Sequence, residues 1–354
     1  MSKHKPKGVA MLLVIVAAIM ILLGAHTLQA AEVTKPSGST TKSPLLLEAL
    51  ASEMGTDIYR TFFGVADILK RTGSWIRMSP IESPGTQYNI EYLAKLDPDR
   101  KSKTIINTSD TGYWLGREDK PPFTRKHSNL RVIGGFNVTA VNWVTLDPKF
   151  KKLPDDIIGK RMGVYPAKFA QAPYWDILID KVWQIRDKAK FTPMYFNPAA
   201  DALRDGTLDA VLMGTRMGKG DSWDLHTTLQ EVLVKHKVYP INLPEDDVRK
   251  VAKIAGVPVR TQELPAGTYG PHQTQPVKGM RIVTIVMTCD ASMDEGVTYA
   301  LVKTMVENRK QFSQYVTYGD HVSAALLVDL APIEDISEFH PGALKYYREV
   351  GVIK

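Results

Sequence analysis

Three short segments place hydroxyl residues and acids where an apolar run gives way to a helical pattern. They are Ser52-Glu53-Met54-Gly55-Thr56-Asp57, Ser83-Pro84-Gly85-Thr86 and Thr108-Ser109-Asp110, after strand-like runs at 45–50, 75–78 and 104–106. Backbone N–H groups at a helix start attract anions, and open α/β sheets bind ligands at the carboxyl ends of their strands. The chemistry this suggests is capture of a small polar or anionic solute. The candidates are Thr56, Ser83, Gly85, Thr86, Thr108, Ser109 and Asp110, with Tyr59 as a wall. For each residue taken alone the competing role is an ordinary helix cap. Asp57 and Asp110 would repel a carboxylate unless they point away or meet an ammonium.

The second half of the chain offers Tyr165 and Lys168 after one strand-like run, and Thr215 and Arg216 after another. Lys168 or Arg216 could pair with a carboxylate, the arginine in bidentate fashion. The competing roles are a solvated charge for either cation and a packed strand end for Tyr165.

Other chemistries find little footing. There is no Ser/His/Asp order with local motif support, no H-E-x-x-H and no Walker glycine loop. The eight histidines show no metal spacing: His226 and His236 are ten apart, and His127, His272, His321 and His340 are isolated. The single cysteine, Cys289, follows an apolar run and reads as packed rather than reactive. No metal or other cofactor is called for. Lys149, Lys151, Lys152, Lys160 and Arg161 make the only basic clusters, too small for a nucleic-acid footprint.

The elements that must position these residues alternate short strands with helices, the pattern of α/β lobes. One helix follows the first turn, with Phe62, Phe63, Ala66 and Leu69 read on one face. The second lobe begins near a strand at 140–146. Further strands are read at 161–165, 208–213 and 281–288, and the last helix starts near His340. At 354 residues the chain suits two lobes. They are read as 45–139 with 290–354, and 140–289.

Residues 1–30 have the order of a secretory signal: Lys3, Lys5 and Lys7, an apolar run over 9–25, then a short polar stretch ending at Ala30-Ala31. Leu28 stands where a small residue is preferred, so an uncleaved membrane anchor is the other reading. Residues 31–44 read as a flexible tether. The net charge is +7; without residues 1–30, which hold three lysines and no acid, 42 Lys+Arg stand against 38 Asp+Glu, or +4.

Four stretches in a fixed order resemble the TAXI-type solute-binding subunits of TRAP transporters, within the type II two-lobed periplasmic binding proteins. They are Asp156-Ile157-Ile158-Gly159-Lys160-Arg161, Asp201-Ala202-Leu203-Arg204-Asp205-Gly206-Thr207-Leu208-Asp209-Ala210, Leu264-Pro265-Ala266-Gly267-Thr268-Tyr269, and His340-Pro341-Gly342-Ala343-Leu344-Lys345-Tyr346-Tyr347-Arg348-Glu349. The resemblance covers about 45–354. It implies two α/β lobes joined by crossing strands that close on a small organic anion or acidic amino acid, with TRAP-type membrane subunits as partner and a periplasmic location. The loops depart from the pattern. Where the family has "GTGG-x-GG-x-YYP" the chain has Ala51 to Arg60 with one glycine. "TGGS" is Ser83-Pro84-Gly85-Thr86, "QSD" is Thr108-Ser109-Asp110, and "PGSGT" is Pro166-Ala167-Lys168-Phe169-Ala170. Fewer glycines leave less room for backbone to approach a ligand. Two other roles stay open: a membrane-tethered receptor or adaptor whose partner is a protein, and an enzyme on the same fold.

Overall fold

The computed structural model describes residues 43–167, 169 and 171–354. The signal or anchor with its run 9–25, the tether as far as residue 42, and Lys168 lie outside the described residues. No helix among the described residues is long and apolar enough to cross a membrane.

The first part alternates as its apolar runs do: β1 (Leu45–Leu50), α1 (Asp57–Arg71), β2 (Ile76–Ile81), α2 (Thr86–Lys95), α3 (Pro98–Lys101), β3 (Thr104–Thr108) and α4 (Asp110–Arg117). β1 lies between β2 and β3 and parallel to both, as helical crossovers require. α1 corrects the face read from the sequence. It buries Phe62, Val65, Ile68 and Leu69, while Phe63 is 49% exposed against the edge of Tyr315. The stripe through Phe63 and Ala66 runs on to Asp67 and Lys70, whose charges resist burial.

β4 (Leu130–Thr145) then crosses out of this region. Its first half is hidden in the sequence by Gly134-Gly135, and only 140–146 reads as strand. Those glycines are a packing device. A Cβ on Gly135 would lie 2.3 Å from the Leu330 carbonyl oxygen, so only a bare backbone lets that segment seat on the strand.

The middle of the chain builds β5 (Arg161–Val164), α5 (Ala172–Ile177), β6 (Lys190–Pro193), α6 (Phe196–Arg204), β7 (Ala210–Met217), β8 (Trp223–Leu225), α7 (Thr227–Leu233), β9 (Tyr239–Pro240), α8 (Glu245–Ala255) and β10 (Thr261–Leu264). β11 (Val277–Asp290) returns antiparallel to β4, and α9 (Glu295–Glu307), α10 (Ala324–Asp329) and α11 (Pro341–Glu349) close the chain. The strand order is β2-β1-β3-β11-β4-β7-β5-β6, with β10 on β11, β8 on β7 and β9 on β4.

The core changes along the two long strands. One buried cluster takes its members from 47–138 and 283–347; two others take theirs from 140–282. On β4 the change falls between Val138 and Ala140, and on β11 between Ile282 and Val283. Each fully buried leucine, isoleucine or phenylalanine contributes about 1.5–3 kcal/mol. Trp143, meeting Trp175 edge-on at 4.9 Å, anchors the second lobe. Two separately cored α/β lobes, bridged by β4 and β11, are the two-lobed arrangement.

Candidate functional site

In the first lobe, the carboxyl ends of β1, β2 and β3 hold the three turns. Their polar groups are largely spent on one another. Thr56 caps α1: its hydroxyl accepts from the Tyr59 amide at 3.2 Å and donates to the Glu53 carbonyl at 2.7 Å. Ser109 caps α4 by accepting from the Gly112 amide at 3.0 Å. Thr86 accepts from the Ser109 amide at 3.2 Å, tying the second turn to the third. A Cβ on Gly112 would lie 2.1 Å from the Thr86 methyl, so this helix turn must be glycine. Gly85 precedes α2 at φ 119°. Ser83 donates to the Ala51 carbonyl at 3.2 Å, and Thr108 shares a 3.0 Å bond with Thr288 of β11. Tyr59 is half-buried.

Asn89, which has no motif to mark it, is fully buried and donates to the carbonyls of Ala51 (3.1 Å) and Asn107 (2.9 Å). It staples the ends of β1 and β3. A polar residue on the inward face of α2 was the only available signal.

Asp110 is 4% exposed. One carboxylate oxygen accepts from the Val283 amide on β11 at 2.8 Å, and the other accepts from the Thr111 amide at 2.6 Å and the Thr111 hydroxyl at 3.2 Å. Burial pushes its carboxyl up to about 6, against the pull of these hydrogen bonds and of Arg281. Beside it lies a cavity of about 240 Å³ between the lobes, lined by Asp110, Trp114, Arg260 and Arg281 together with the segment 328–333. The two arginines were not singled out in the sequence.

In the second lobe, Tyr165 directly follows β5, and Tyr195, two residues past the end of β6, precedes α6. Tyr165 is 5% exposed. Its hydroxyl makes no hydrogen bond among the described residues, and burial pushes its ionisation up against a small pull from the nearby Gln171 side chain. Thr215 is buried and bonds Tyr269 at 2.7 Å. Arg216 reaches across and pairs with Asp57 at the start of α1, the guanidinium 35% and the carboxylate 14% exposed. The lobes meet again where Thr317 donates to Asp224 at 2.7 Å and Lys120 donates to the Gly256 carbonyl at 3.0 Å. Of the sequence candidates, Thr56, Ser83, Gly85, Thr86, Thr108, Ser109 and Asp110 gather on the first edge, while Thr215 and Arg216, read as following a strand, lie inside β7 near its end, paired with β4 and β8.

The motif stretches have structural work. Asp209 accepts from the Arg161 amide at 2.7 Å and from its guanidinium at 2.7 and 3.1 Å, and these bonds hold its carboxyl below the usual range. His340 caps α11 and bonds Thr298 at 2.7 Å, and the Tyr347 hydroxyl donates to the Ile133 carbonyl at 2.6 Å. Cys289 is buried and its thiol is pushed up by desolvation, which leaves it unreactive. Among the described residues no group of His, Cys, Asp and Glu could hold a metal ion.

Two α/β lobes, each presenting strand ends to the other, define a type II periplasmic binding protein fold. The chain belongs to the NMT1-like family, whose model matches residues 51–351. Among solved structures it is similar to a TctC solute binding protein from Polaromonas with no ligand, at 10% identity over 88% of this chain and 99% of that chain, with a TM-score of 0.51. It is also similar to MatC from Rhodopseudomonas palustris with bound malate, at 12% identity over 87% and 99%, with a TM-score of 0.48. The first likeness establishes the architecture. No curated protein matches the sequence significantly.

Proposed function

We propose that this chain is an extracytoplasmic solute-binding protein. It captures a small organic acid or acidic amino acid between its lobes and hands it to a TRAP-type membrane transporter, without chemistry on the solute. Residues 1–30 act as secretory signal or membrane anchor and 31–44 as tether. Residues 45–139 with 290–354 move against 140–289, and the change of core along β4 and β11 supports pivots in those strands.

The observation that carries the reading is the Arg216–Asp57 pair across the two edges. A solute carboxylate can take the place of Asp57 on the guanidinium, so Arg216 would sense occupancy and hold the lobes together. Thr56, Tyr59, Ser83, Gly85, Thr86, Thr108, Ser109 and Asp110 would shape the first wall; Tyr165, Lys168, Thr215 and Arg216 would shape the second. An acidic amino acid brings an ammonium to a region that holds two aspartates, so it should bind more tightly than its keto acid.

The test is a thermal-shift screen of organic acids and amino acids on the whole chain, followed by titration of glutamate against 2-oxoglutarate. A solute at a hundred times its Kd should raise unfolding free energy by about 2.7 kcal/mol. No shift from any solute, with a membrane protein co-purifying in its absence, would replace the carrier by the adaptor. Turnover of a bound solute would replace it by an enzyme.

A further inference from the structure

The second lobe's edge carries an aromatic wall. Tyr165 stands at the end of β5 and Phe169 in the turn after it. Tyr195 and Phe196 open α6, and His226 precedes α7. Tyr165 and Phe169 stack with centroids 4.9 Å apart at 10°. Phe196 meets them edge-on at 5.6 and 5.4 Å and stacks on His226 at 4.4 Å. Tyr195 lies 5.6 Å from Phe169.

A cluster closed inside the core would be uniformly buried. This one is graded from Tyr165 at 5% exposed, through half-buried Phe169, Phe196 and His226, to Tyr195 at 52%. It therefore opens towards solvent at the strand ends where such folds take ligands. Its deepest member keeps a buried hydroxyl with no hydrogen bond among the described residues, a state that costs about 1–3 kcal/mol and that a ligand acceptor would relieve. The imidazole of His226 is held neutral by burial and by the nearby charge of Arg216, so it adds a flat face and not a cation. Leu225, just before His226, pairs with Thr215, just before Arg216. The guanidinium thus flanks the wall.

We infer that the cleft selects organic acids with a flat, unsaturated or aromatic body, the carboxylate meeting Arg216 and the ring lying against Phe169, Phe196 and Tyr195. This rests on the carrier reading above and adds the solute class. Ring faces prefer offset or edge contact with other rings, a gain beyond area alone that a saturated ring of similar size does not receive.

The experiment titrates the whole chain by calorimetry with benzoate and phenylacetate, and with cyclohexanecarboxylate and cyclohexylacetate. The aromatic acids should bind about three- to tenfold more tightly than their saturated partners. Phe169→Leu and Tyr195→Ala should each shrink that ratio. Tyr195 is half-exposed, so its variant should melt with the wild type and keeps the test independent of folding. Equal or tighter binding of the saturated acids, or a ratio unmoved in both variants, overturns the inference and leaves the carrier reading standing. Binding by none of the four acids also overturns it, and the wider solute screen then judges the carrier reading separately.

Discussion

The two edges of the cleft are built from different materials. The first lobe's edge is knit by hydrogen bonds: Thr56 and Ser109 cap helices, Thr86 binds the Ser109 amide, Asn89 staples β1 to β3, and Asp110 is tied to β11. The second lobe's edge is aromatic, with the Tyr165 hydroxyl unpaired among the described residues and Arg216 paired across the gap. Residue types that look ready for a ligand in the sequence serve mainly as structure on the first edge. Among the described residues spare capacity remains in the buried side-chain oxygens of Asn89 and Asn107 on the first edge and in the Tyr165 hydroxyl on the second.

Asp110 should give the largest effect. Its carboxyl rises from 3.8 in the unfolded chain to about 6 in the fold, so between these values the folded state holds a proton that the unfolded chain has released. Its stabilising contribution is complete below about pH 4 and is lost as pH rises through about 6, a change of about 3 kcal/mol. Asp110→Asn should remove that dependence. Urea unfolding at pH 4 and pH 7 should show wild type losing about 3 kcal/mol relative to the variant; a constant difference would mean the carboxyl titrates normally.

Asn89→Ala comes next. It leaves the buried carbonyls of Ala51 and Asn107 without this donor, at a cost of about 2–3 kcal/mol. A midpoint in urea equal to wild type would show that the first edge is not held by this staple.

The caps are smaller. Thr56→Ala and Ser109→Ala should each lose about 1 kcal/mol of stability, with any loss of solute affinity no larger than that. Loss of affinity at constant stability would move the first edge into direct contact with the ligand and erase the contrast.

Tyr165→Phe acts in the other direction, because it removes a buried hydroxyl that has no partner among the described residues. Unliganded stability should rise by about 1 kcal/mol, while affinity for a bound solute falls. If stability drops by more than 1 kcal/mol, the hydroxyl is a structural group like those opposite.

Much of the fold was legible in the chain. The alternation of strands and helices stands in the apolar spacing, and β1 falls on the run at 45–50. The motif stretches are readable because their residues act locally or through rigid geometry: a glycine with φ 67° at Gly206, a proline at the first turn of α11, and Asp209 answering Arg161. The first half of β4 was not legible, because the need for Gly135 comes from Leu330, almost two hundred residues away.

The site divides along the same line. The sequence by itself determined which residues stand at the strand ends, since a strand ends where its period fails and a cap residue follows. It also put Asp57 and Arg216 among the charges that needed an answer. Only the tertiary structure decided that they answer each other, that Asp110 turns into the protein towards Val283, and that five rings from three separate loops form one wall. Those outcomes depend on how two lobes bring distant strand ends together, and no local spacing encodes that distance.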